Sequence, residues 1–296
     1  MNSKKLTIKD SALSFLIGFL LCQIAIVSIT IIVLFVGRFY KFGSEELDVF
    51  LNTASGYLIT STVMYATLLF VFLFYNNKKE NKIAKRVEIK KVLMYVGIAI
   101  LSYFLLFPIV TCFNNLLTKF GVEVGSLKYE LSTKNYLISI ISLAVLPAVC
   151  EELLFRGLIF KGLKPHGKAF SITISSLMFC IFHMSLSQTI YPILMGLLFG
   201  VIMFYENNIY YCIIAHFTNN ILSLTLSYFK INLVFNHWTF ILLAIILLLI
   251  FLTVIIFLIL KNNKSTEKQP IENENKKYLT LSLGVMILFW ILVNLI

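Results

Sequence analysis

Apolar runs about twenty residues long recur along almost the whole chain, and this recurrence limits the fold before any other feature is considered. A hydrocarbon core about 30 Å thick is crossed by roughly 20 helical residues, and inside it only helices and closed barrels satisfy every backbone N–H and C=O. The runs are continuous rather than alternating, so they predict helices. Of the 296 residues, 59% are hydrophobic and only 13% charged, with a mean hydropathy of +0.91. That is membrane composition. The expected fold is all-α, a polytopic transmembrane bundle of about eight to nine spans.

The first run, residues 11–36, is too long for a signal-peptide core and lacks a small-residue cleavage pattern, so it reads as a retained span. Others follow at 53–75, 92–117, 136–160, 169–186, 189–205, 209–229, 238–260 and 279–296, with Pro108 expected to kink the third. Residues 261–277 are polar, contain Pro270 and read as a solvated loop; no internal repeat is visible. Basic residues gather in alternate connections: Lys4, Lys5 and Lys9; then Lys78, Lys79, Lys82, Lys85, Arg86, Lys90 and Lys91; then Lys161, Lys164 and Lys168. By the positive-inside rule these segments and 261–277 face the cytoplasm, which puts the N-terminus inside and Ile296 outside a cell membrane. The formal net charge of +11 is thereby explained without nucleic acid. Cysteines 22, 112, 150, 180 and 212 all lie in apolar segments and form no CxxC, which argues against a disulfide framework or a cysteine metal site.

One span breaks the apolar rule. Cys150-Glu151-Glu152-Leu153-Leu154-Phe155-Arg156 sets three ionisable residues where each ionised group is expensive unless it is paired or faces a polar cavity. On a helix Glu152 and Arg156 are four apart, share a face and stand in the better order for an ion pair. Glu151 points about 100° away and lacks that partner, so one acid is expected to be structural and the other free for chemistry. Pro147, four residues before Glu151, removes a backbone hydrogen bond and is either an opening for water or an ordinary transmembrane proline.

His183 and His216 also lie within apolar runs. Taken singly, each is more often a packing residue than a functional one. Counted from the cytoplasmic ends at 1.5 Å per residue, however, Glu151 lies roughly 15 Å deep, His183 roughly 20 Å and His216 roughly 12 Å, all in the middle of the bilayer. Three helices can therefore bring them together. A carboxylate base, imidazoles and a carboxamide in a confined cavity are the parts for hydrolysing an amide with activated water. The sequence has no GxSxG, no HExxH and no Gly-rich phosphate loop.

Glu151-Glu152-x-x-x-Arg156, Phe179-x-x-x-His183 and His216-x-x-x-Asn220, in this order on successive helices, resemble the CPBP/Abi intramembrane proteases, which include type II CAAX prenyl endopeptidases and bacteriocin-processing proteins. The resemblance covers about a third of the chain. It implies that Glu151 activates water, that His183 helps to position it, and that His216 with Asn220 stabilises the oxyanion. Glu152 and Arg156 would orient the site, and Phe179 would pack; Asn219 adjoins Asn220 and their roles can be exchanged. The chain is accordingly divided into N-terminal helices (1–130), a protease core (131–230) and C-terminal helices (231–296).

The expected activity is that of an intramembrane endopeptidase acting near the cytoplasmic half of the bilayer, whose partners are lipid and a membrane-associated peptide or protein. Abundant Phe, Ile, Asn and Lys suggest a low-GC bacterium, which favours bacteriocins, peptide pheromones or their leaders as substrates, or a role in self-immunity. Two other classes stay open, a non-catalytic scaffold or immunity protein for cell-envelope enzymes and, more weakly, a proton-coupled transporter. No cofactor is expected; the alternative is Zn2+ held by Glu151, His183 and His216.

Overall fold

A computed structural model of the chain describes residues 5–39, 49–79, 86–122, 124, 131–231, 238–261 and 269–295. The helices are α1 (Ile8–Phe39), α2 (Ala54–Lys79), α3 (Ile89–Lys119), α4 (Thr133–His166), α5 (Lys168–Phe182), α6 (Ile190–Glu206), α7 (Ile209–Tyr228), α8 (Trp238–Leu260) and α9 (Asn273–Leu295). No strand occurs among the described residues. The protein is a multi-pass helical membrane bundle.

By length and composition α1, α2, α3, α4, α8 and α9 can each cross a membrane. The remaining three serve a different purpose. At 15 and 17 residues, α5 and α6 rise only about 22 and 26 Å, short of a full hydrocarbon core, and α7 carries the polar stretch around His216. They line the interior while longer helices face the lipid. Ile24, Ile31, Phe35, Leu93, Leu101, Leu242 and Leu249 are exposed on α1, α3 and α8, as a lipid-facing surface requires.

α4 is the axis of the molecule. Half of its most apolar stretch is buried inside the bundle, against 11% to 28% for the other five long spans. One apolar cluster joins it to α1, α2, α5 and α9 through Phe15, Phe19, Leu68, Leu154, Phe155 and Met286. A second cluster collects Tyr95, Phe160, Phe199, Ile202 and Tyr211 with α8 residues Phe251 and Ile255. α4 meets both.

Local chemistry explains how the helices are held. Thr7 caps α1: its hydroxyl accepts from the Asp10 backbone N–H while the Asp10 carboxylate accepts from that of Thr7. The Ser11 hydroxyl then donates to the Ile159 carbonyl of α4 at 2.9 Å, where Gly162 allows contact so close that a Cβ there would lie 2.1 Å from Ser11 Oγ. On α6, Gly196 and Gly200 let the helix lie directly on Ser176 and Ile172 of α5, the small-xxx-small packing of membrane helices.

Several expectations are adjusted. Pro108 is accommodated within an unbroken α3. The region read as a loop up to residue 277 is already helical from Asn273. Residues 40–48, 80–85 and 262–268 lie outside the described residues.

Candidate active site

α4 is not a uniform α-helix. Wider π-type turns at Ile140–Val145 and Leu153–Ile159 bracket the α-helical segment Leu146–Glu152. Such turns occur often at functional sites, because they turn side chains out of the regular register. Pro147 sits at the start of the bracketed segment, supplies no N–H, and lines a cavity together with Leu143 and Glu151. The proline is therefore on the cavity wall, beside the candidate base.

That cavity has a volume of about 930 Å³, and Glu151, His183, His216 and Asn220 all contribute to its wall. Residues from α4, α5 and α7, up to 69 positions apart, are thus brought to one space, as the depth argument required. Glu151 is buried. Its Oε1 accepts from the Tyr65 hydroxyl at 2.9 Å, and its Oε2 has no hydrogen-bond partner. Among the described residues the acid has no ion partner but does have an anchor, Tyr65 of α2, and its second oxygen is unpaired.

Glu152 forms the expected pair with Arg156 Nη1 at 3.0 Å, both side chains being fully buried. The same Oε1 also lies 3.0 Å from His216 Nδ1. Arg156 is held further by the Gly196 carbonyl, which accepts from Nη2 at 3.1 Å, and by the rings of Phe179 and Phe199, 4.7 and 5.2 Å from its guanidinium carbon. Phe199 stacks on His216 as well. Phe179 packs, as expected, and in addition solvates a buried cation.

The hydrogen bonds assign the imidazole protons. Carbonyl oxygens only accept, so the 2.8 Å contact of His183 Nδ1 with the Phe179 carbonyl places a proton on Nδ1 and leaves Nε2 as an acceptor. Facing a carboxylate, His216 Nδ1 is likewise the donor. Its Nε2 can donate to an oxyanion once the ring is protonated.

The adjacent asparagines separate. Asn219 accepts a short hydrogen bond from the Tyr191 hydroxyl, and its Nδ2 points to Asn220 Oδ1 at 3.5 Å. Asn220 lines the cavity, and Asn219 holds its oxygen, which leaves the Asn220 NH₂ for the cavity.

Tyr65, Tyr191, Gly196 and Phe199 were not singled out from the sequence. None belongs to a motif, and each meets its partner across at least 17 residues of chain. A mid-span tyrosine was the single available signal for Tyr65, and Tyr191, at the start of its run, gave none.

The zinc alternative can be tested on the donor set. Each imidazole has its Nδ1 engaged by an outer acceptor and its Nε2 left over, which resembles a metal site. Among the described residues, however, no three His, Cys, Asp or Glu side chains stand close enough together to hold a metal ion. As placed, the residues do not fit zinc, and no step is derived through it.

Comparison with known families gives a match over residues 133–222, from the start of α4 to the middle of α7, to the family described as Type II CAAX prenyl endopeptidase Rce1-like. Residues 133–222 are similar to that family, which supports the resemblance to CPBP/Abi proteases. The matched segment contains all the cavity residues named for chemistry. No curated protein and no solved structure matches the chain. Over the matched segment the similarity supports a membrane endopeptidase, whose substrate would be a peptide or protein in a membrane setting.

Proposed function

We propose that this endopeptidase hydrolyses a peptide bond of a membrane-associated peptide or protein with water activated by Glu151, in the maturation of bacteriocins or pheromone peptides or in self-immunity. The observation that carries the reading is the place of Glu151, whose buried Oε2 has no hydrogen-bond partner among the described residues, on the wall of a cavity that two imidazoles and a carboxamide also line.

The chemistry follows from the donors and acceptors. Glu151 Oε2 takes a proton from water, which His183 Nε2 orients by accepting its other hydrogen. The water oxygen bonds to the carbonyl carbon, and the carbonyl π electrons move to oxygen. Protonated His216, through Nε2, and the Asn220 amide donate to that oxyanion. Glu151 then passes its proton to the amide nitrogen, the C–N bond breaks, and a carboxylic acid and an amine leave. Glu152 takes no proton in this scheme; it fixes the angle of His216 and stabilises its imidazolium, as the acid does in a serine-hydrolase triad.

Purified wild-type protein should cleave peptides without added metal and in strong chelator. Glu151→Gln, nearly isosteric, should be inactive at normal membrane abundance. Stoichiometric zinc, with activity lost on its removal and restored on its return, would decide for a metalloprotease. Unchanged cleavage by Glu151→Gln would remove Glu151 from the mechanism, and absence of cleavage by either protein would favour the non-catalytic scaffold.

A further inference from the structure

The cavity is not symmetric about the bilayer. Beyond Glu151 its wall continues along Ser223, Leu224, Ser227, Tyr228 and Lys230 at the C-terminal end of α7, and it meets Leu131 just ahead of α4. Tyr57, near the N-terminal end of α2, lies on the same wall. Ser223, Ser227, Lys230 and Gln188 are exposed, so among the described residues the cavity is open at this end.

The opposite end of the bundle is the basic one. Lys9 pairs with Glu274, His166 meets the Gln269 carbonyl, and Lys164 donates to Asn207. Lys91 pairs with Glu206, and Asn208 donates to the Arg86 carbonyl. These contacts gather the start of α1, the α2–α3, α4–α5 and α6–α7 connections and the segment before α9 at one end. Every described segment to which loop charge assigns a cytoplasmic location is therefore on the side away from the open mouth.

We propose that the active-site cavity opens to the extracytoplasmic face, and that the substrate is a flexible segment presented from that side. This rests on the protease reading for the word substrate, but the direction of opening does not. It replaces the cytoplasmic-half access expected from counting depth along single helices. The α7 axis rises about 18 Å between His216 and Tyr228. A peptide spans that distance with roughly five extended residues, whereas a folded domain does not reach the floor. The fitting substrate class is thus a peptide or a terminal or juxtamembrane segment already exposed outside the cytoplasm, such as an exported peptide still attached to its leader.

The test uses a membrane-impermeant maleimide on the full-length protein in cells. Of the five cysteines four are buried, so Cys112→Ser gives a quiet background. Gln188→Cys and Ser227→Cys report the mouth from two different elements, and exposed Lys90→Cys reports the basic end. In intact cells both mouth positions should label and Lys90→Cys should label only after permeabilisation. The reverse pattern would overturn the proposal, as would mouth positions that stay unlabelled even in permeabilised cells. Labelling does not depend on turnover, so loss of the protease reading, measured with Glu151→Gln, is distinguished from loss of this one.

Discussion

Glu151 and Glu152 are neighbours in the chain, yet their surroundings divide the work between them. Each has one oxygen without a partner among the described residues, but Glu152 accepts from a guanidinium and an imidazole away from the cavity, while Glu151 accepts from one phenol and lines it. Removing one member of a buried pair leaves the other charge stranded, which typically destabilises by about 3 to 5 kcal/mol, whereas replacing both by apolar groups is often neutral. Arg156→Met alone should therefore lower folded yield sharply. The double variant Glu152→Leu with Arg156→Met should regain most of that yield and remain poorly active, because His216 has lost its acceptor. Fluorescence-detected size exclusion with a cleavage assay reads both quantities. A double variant whose loss equals the sum of the single losses would show that the pair is not coupled. The asparagines give a second expectation: Asn220→Ala should reduce turnover by about 10² to 10³, the usual loss for one oxyanion donor. Asn219→Ala and Tyr191→Phe should lower it less, since they act only through the orientation of Asn220; steady-state kinetics on the three variants checks the order. The Glu152–Arg156 pair was legible in the sequence because both residues lie on one helix with a fixed spacing. The anchors Tyr65 and Phe199 were not, because nothing local marks a contact made between separate spans.

At the scale of elements, the bracketing of Leu146–Glu152 by π-type turns and the close seating of α6 on α5 do most to shape the site. Helix boundaries were readable from apolar run length, and caps such as Thr7-x-x-Asp10 follow familiar local chemistry. The π-type turns were not readable, since they arise where packing and Pro147 draw α4 off its regular register. Helix contact explains the role of Gly196. Its carbonyl receives Arg156, and a Cβ there would stand 3.1 Å from the Ser176 backbone Cα. Gly196→Ala should force α5 and α6 apart, at about 1 to 3 kcal/mol for overpacking, and lower both thermal stability in detergent and activity. Gly97→Ala in α3, with nothing within 4 Å of the added methyl, should be neutral or slightly stabilising. Equal melting temperatures for the two variants would show that the α5–α6 contact is looser than described. α9 has a part in the site as well, because Asn294 near its end accepts from the Leu186 backbone N–H at 2.7 Å and so braces the turn that follows His183.

For the whole molecule, loop charge and run length were enough to anticipate a helical bundle with its basic connections gathered at one end, because both follow from transfer energies that act residue by residue. The direction of the cavity was not, since it depends on which helix ends part from one another. α4 and α7 carry most of the polar residues of the site, α4 links two apolar clusters, and the long outer spans meet the lipid. This arrangement keeps three ionisable groups of α4 inside protein at membrane depth, and it sets Glu151, with one carboxylate oxygen unpaired among the described residues, on the cavity wall. The central claim is that this oxygen activates water for peptide-bond hydrolysis. Its most direct measurement works whatever the substrate is: mass spectrometry of the peptides released by cells carrying the wild-type protein, compared with cells carrying Glu151→Gln at equal membrane abundance. Peptide termini present with the wild type and absent with Glu151→Gln are the predicted result. Identical sets of peptide termini from the two strains would contradict it.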